Sequence, residues 1–166
     1  MKSPVPRSPG QRREKHFQEA RTDPYHARVK LGDPTLCPTC GAVYAAGRWH
    51  WQERPEEARQ HLCPACQRTK DKVPAGIVRL RGNYLTAHRD ELLHLARHQE
   101  EKEKSDHPLN RIMAMVAGPN EIEITTTDIH LPRRIGEALK HAHKGELALD
   151  YADNEYFIRV NWTRDD

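Results

Sequence analysis

Two short matched motifs constrain this chain more than any other feature of it. Cys37-Pro38-Thr39-Cys40-Gly41 and Cys63-Pro64-Ala65-Cys66-Gln67 hold all four cysteines of the sequence, and 22 residues separate the pairs. A C-x-x-C turn brings both sulfurs toward one point while backbone N–H groups face them. Proline after the first cysteine presets the turn, and Gly41 supplies the positive φ that such knuckles use. Two pairs at this distance have the spacing of a zinc ribbon, which predicts Cys37, Cys40, Cys63 and Cys66 as the ligands of one Zn²⁺. Four protein ligands leave no position for a reactive water, so this ion is expected to build structure only. In modules of this kind the metal supplies about 10–16 kcal/mol of apparent folding energy, more than a core of roughly 30 residues can. Gln67, where the first knuckle has glycine, departs from the pattern. A thioredoxin-like redox pair, two disulfides and an iron–sulfur cluster are the competing uses of four cysteines. Each fits the spacing or the context less well.

The remainder of the chain is polar: of 166 residues 36% are hydrophobic and 31% charged. That excludes one large core along the whole length. No apolar run reaches the roughly 20 residues of a membrane helix, and the Pro-rich start lacks the apolar stretch of a secretory signal. A cytoplasmic protein is expected. Charge is unevenly placed. Residues 1–30 carry eight basic against three acidic side chains, a net of +5, whereas residues 82–166 carry eleven against sixteen, a net of −5. The first segment reads as a basic, extended arm, with Arg7, Arg12, Arg13, Lys15, Arg21, Arg28 and Lys30 available to neutralise phosphates. The bland alternative is a solvated leader.

Residues 31–72 then form the cysteine module, with Arg48, Arg54, Arg68, Lys70 and Lys72 expected as a second basic surface. If Arg48-Trp49-His50-Trp51 is a strand, Trp49 and Trp51 face the same side. They then either cover the metal site or present a ring on which an unpaired base stacks. His50 and His61 are expected as surface groups or as neighbours of the site rather than ligands.

From residue 73 to 166 the pattern is that of an α/β unit. Gly76–Arg81 reads as a strand and Tyr84 to about Lys104 as a helix. Arg111–Ala117 and Glu121–Thr127 read as strands, the second with Ile122 and Ile124 inward. Asp128 is placed to cap a helix that Gly145 ends, and Glu146–Tyr151 with Tyr156–Trp162 closes a hairpin. The expected class is α+β: a ferredoxin-like, split βαβ sheet with one extra strand. Eleven histidines, among them His94 with His98 and His141 with His143, suggest a second metal site, but no carboxylate completes either pair. No spaced acid pair, nucleophile–base order or phosphate-cradling loop is present. The chain therefore reads as a non-enzyme without a small-molecule substrate.

Taken together, the two C-P-x-C knuckles, the strand Gly76–Arg81 and the stretch from Thr125-Thr126-Thr127-Asp128 to Gly136-Glu137-Ala138-Leu139 resemble a family of small bacterial zinc-ribbon proteins, over about Asp23 to Trp162. More broadly they resemble the N-terminal part of the archaeal and eukaryotic export adaptor of the large ribosomal subunit, the family named after nonsense-mediated decay. That family binds zinc through cysteine pairs ahead of α/β domains and docks on the intersubunit face of the large subunit. It carries more cysteine pairs than the single set here. The resemblance implies a ribosome-associated factor that contacts ribosomal RNA and possibly ribosomal proteins, with a role in assembly, stress or hibernation. The alternative is a zinc-ribbon adaptor for protein interaction or transcription that does not bind ribosomes.

Overall fold

Residues 23–26 and 30–166 are described by the computed structural model. The arm positions Arg7, Arg12, Arg13, Lys15, Arg21 and Arg28 lie outside the described residues; Lys30 is exposed.

The α/β unit follows from alternating side chains. In β5 (Gly76–Arg81) Val78 and Leu80 are buried, in β7 (Glu121–Thr126) Ile122 and Ile124, and in β9 (Ile158–Thr163) Ile158, Val160 and Trp162. The opposite faces of these strands carry Arg79, Arg81, Glu121, Glu123 and Arg159, as period-two geometry requires. Helices α2 (Leu85–Asp106) and α3 (His130–His143) supply Leu85, Leu92, Ala96, Leu131, Ile135 and Leu139 to the same core. Strands β6 (Ile112–Ala117) and β8 (Glu146–Tyr151) form the two edges, and the sheet order is β6-β7-β5-β9-β8. None of the helices formed by the described residues is long and apolar enough to cross a membrane.

The extra strand goes where the sequence does not indicate. β9 pairs in parallel with β5 and separates it from β8, which joins only through its antiparallel pairing with β9. Burial explains the order. Every second residue of β9 is fully buried, whereas β8 exposes Glu146, Ala148 and Asp150, and between them only Leu147 and Tyr151 pack partly against the core. The more apolar strand takes the covered interior and the more charged one takes the edge.

The cysteine unit has the short strands β1 (Thr35–Leu36), β2 (Val43–Ala45), β3 (Arg48–His50) and β4 (Arg59–Gln60), with α1 (Pro64–Asp71) after them. They form one sheet in the order β3-β2-β1-β4. Ala46 and Gly47 both have positive φ, the backbone of a two-residue hairpin turn between β2 and β3. The boundary expected after residue 30 shifts. Asp23 is buried and its Oδ1 accepts from Arg68 Nη2 on α1 at 2.6 Å, while Tyr25 Oη donates to Asp71 Oδ2 at 3.0 Å. Residues 23–26 are therefore part of the folded body.

Candidate metal centre

The first cysteine pair sits in the turn between β1 and β2. Cys37 N donates to Ala42 O at 2.8 Å, Gly41 N donates to Cys37 O at 3.0 Å, and Gly41 takes a φ of 82°. The second pair is built differently. Cys63 caps α1, its Sγ accepts from Cys66 N at 3.3 Å, and Pro64 occupies the first helical turn, where its missing N–H is no loss. This accounts for Gln67: that position continues a helix, so no positive φ is needed. The Cys63, Ala65 and Cys66 amides at the start of α1 also favour negative sulfur there.

The four Sγ atoms all lie within 4.8 Å of one another, and Cys40 and Cys63 are 3.8 Å apart. Tetrahedral coordination with Zn–S bonds of about 2.3 Å places sulfurs about 3.8 Å apart, so the donor set fits one ion. All four are free thiols. Backbone amides support them: Ala42 N donates to Cys40 Sγ at 3.5 Å and Cys63 N to Cys37 Sγ at 3.3 Å. Cys40 and Cys63 share a proton across their contact, in which either sulfur can donate; that contact holds Cys40 low and pushes Cys63 up, and burial adds to the rise. Burial likewise raises Cys66. A divalent ion takes the place of those protons, so its binding releases them.

One residue of the site lies far away in sequence. Arg111, just before β6 in the α/β unit, donates from Nη1 to Cys66 Sγ at 3.2 Å. Its Nη2 donates to Cys40 Sγ at 3.1 Å and to Cys63 Sγ at 3.5 Å. Its Nε donates to Pro108 O at 2.6 Å, which fixes the fork. Burial works against the charge of Arg111, but the field of Cys63, Cys66 and Cys40 outweighs it and its pKa is raised. Nothing local in the sequence marks Arg111, which reads as the first residue of a strand. The available signal is electrostatic: four thiolates around a divalent ion carry a net −2 and need a donor.

The tryptophans separate. β3 ends at His50, so the same-face expectation does not extend to Trp51. Trp49 is buried at 8% exposure with Cys37, Ala42, Cys63, Ala65 and Cys66, and meets Tyr44 edge-on at 5.5 Å. Trp51 is 38% exposed and donates its indole N–H to Lys104 O at the end of α2, at 2.6 Å. Lys104 and Arg111 stand over its ring.

Of the expected basic surface, Arg48, Arg54, Lys70 and Lys72 are exposed. Arg68 is not part of it. Its side chain is buried between the rings of Tyr25 and Tyr156, bonded to Asp23 and to Val73 O, because α1 turns that face inward. His50 bonds Ala45 O and His61 bonds Leu62 O; neither belongs to the sulfur cluster. His94, His98 and His141 are exposed, and His143 meets Tyr84 Oη. A cleft of about 720 Å³ runs between the two units, with Arg48, His50, Glu103, Asp128, Arg134 and Tyr156 in its walls. Comparison with protein-family models, with curated proteins and with solved structures finds no match.

Proposed function

We propose that this protein is a non-enzymatic RNA-binding protein built on one structural zinc ion, and that structured RNA of the ribosome is its partner. Cys37, Cys40, Cys63 and Cys66 hold the ion, which ties the β1–β2 turn to α1. Zinc is preferred among metals because four thiolates in a closed tetrahedral set suit it. The α/β unit, read as a ferredoxin-like sheet with an inserted strand, serves as scaffold.

One observation carries the RNA reading. Residues 1–30, which end on the exposed Lys30, are net +5 and residues 82–166 are net −5; between them the cysteine unit exposes Arg48, Arg54, Lys70 and Lys72 beside carboxylates that balance them, among them Glu53, Glu56, Glu57 and Asp71. Phosphate is drawn to the leader and repelled by the acidic unit. The leader and the cysteine unit grip the backbone, and the acidic unit faces away or meets a ribosomal protein. Occupation of a functional site, in assembly or dormancy, follows from such a grip. The adaptor alternative needs Trp49 and Trp51 as anchors for a protein partner. Trp49 is inside and the Trp51 N–H is committed to Lys104, so that reading is the weaker one.

Sedimentation with ribosomes tests the proposal, using the full chain and a version that begins at residue 23, so that Asp23 stays with Arg68. With about six phosphates neutralised, association falls by roughly three decades between 50 and 200 mM salt, and the shortened chain binds more weakly with a shallower salt slope. Equal, negligible association of both versions at low salt contradicts it.

A further inference from the structure

We propose that Arg111 latches the α/β unit onto the metal centre, so that metal occupancy and docking of the two units are one coupled equilibrium. The inference rests on the metal reading above and extends it. Arg111 reaches both cysteine pairs, Cys40 of the first and Cys63 and Cys66 of the second, with three N–H···S contacts of 3.1 to 3.5 Å. A single planar fork reaches all three sulfurs because the four lie within 4.8 Å of one another. Loss of the ion that ties them together lets the two cysteine pairs separate, and the acceptors of the latch go with them.

The two cores differ in how far they depend on the ion. The α/β core contains sixteen buried residues and no cysteine. The smaller cluster has six, three of them cysteines, and Leu109 of the α/β unit packs against it. Around the latch the contact is thin. The Trp51 N–H bond to Lys104 O crosses it, and the 720 Å³ cleft lies alongside. Removing the ion is therefore expected to loosen the cysteine unit and residues 104–111, and to open the cleft, while β5, β7 and β9 stay folded. Coupling of this kind is reciprocal: whatever holds the units docked tightens metal binding by the same factor.

The test uses full-length protein, zinc-loaded and titrated with a chromogenic chelator, with hydrogen exchange followed by mass spectrometry. Arg111→Met is expected to weaken zinc binding about 10- to 100-fold, the range for lost outer partners of metal ligands. Arg111→Lys falls between, since an ammonium cannot fork. Trp51→Phe touches no sulfur, yet loses a docking bond and is expected to weaken zinc about two- to tenfold; it keeps the test open if Arg111→Met does not fold. Chelation of the wild type should speed exchange at residues 104–111 and leave β5, β7 and β9 protected. Zinc affinities of Arg111→Met and Trp51→Phe within twofold of the wild type overturn the latch, and so does unchanged exchange at residues 104–111. A wild type that holds no zinc overturns the metal reading itself, and one equivalent with indifferent variants overturns the latch alone.

Discussion

Burying Arg68 and Asp23 against each other strips both of water, and the 2.6 Å contact returns that only while both are present. Arg68→Met alone leaves a buried carboxylate without its countercharge, held only by the Tyr25 amide, and is expected to cost about 3 kcal/mol of stability. Adding Asp23→Asn should recover a large part of the loss, because the two residues couple; urea denaturation of the two variants at saturating zinc measures it. Asp128 is the second residue whose surroundings decide its chemistry. Its Oδ2 caps α3 by accepting from His130 N and Leu131 N, while Oδ1 is buried with no hydrogen-bond partner among the described residues. Burial pushes its pKa up to about 7, against the opposing pull of the two amides. A carboxyl that keeps its proton longer when folded than when unfolded lowers stability as pH rises, here from about pH 4 to about pH 7. Asp128→Asn, which stays neutral, is therefore expected to gain about 2 kcal/mol relative to the wild type between pH 5 and pH 7.5. Thermal melts in zinc-saturated buffer at the two pH values check the sign.

Helices and strands were readable wherever a period was sustained. Ile122 and Ile124 mark β7, and Ile135 and Leu139 mark α3, because the buried face repeats at the interval of the element. Which strands become neighbours was not readable. Period reports facing, not pairing, so the insertion of β9 beside β5 depends on burial competition between strands distant in sequence. The second cysteine pair shows the same limit at short range. C-P-A-C serves equally as a hairpin knuckle or a helix cap, and the helical run after it decides for the cap. Close approach of α3 to the sheet gives a prediction at this scale. A Cβ on Gly136 would meet Val160 Cγ1 at 2.7 Å and Leu147 Cδ1 at 2.8 Å. Alanine is better than glycine in a helix by about 1 kcal/mol, but overpacking costs about 1–3 kcal/mol, so Gly136→Ala is expected to lower the urea midpoint rather than raise it.

At the scale of the molecule, two units with separate cores meet at the Arg111 fork, the Trp51–Lys104 bond, the packing of Leu109 on the smaller core and the contact of Arg68 with Tyr156. The four sulfur positions were legible because a C-x-x-C pair states its purpose within four residues. Arg111 was not, because its partners lie as far as 71 residues away in sequence, and the fold alone brings them together. The exposed cations of the cysteine unit were legible as charge but not as placement, and Arg68 is the one that turned inward. The Arg111 fork and the exposed Arg48, Arg54, Lys70 and Lys72 all belong to or bear on the cysteine unit, whose core holds only six buried residues, three of them cysteines. Metal analysis of the purified full-length protein, combined with a melt before and after chelation, tests this most directly. The account predicts one equivalent of zinc per chain, removal of which melts the cysteine unit while the α/β unit keeps its own transition. A protein without metal whose cysteine unit melts at the same temperature with and without chelator contradicts it.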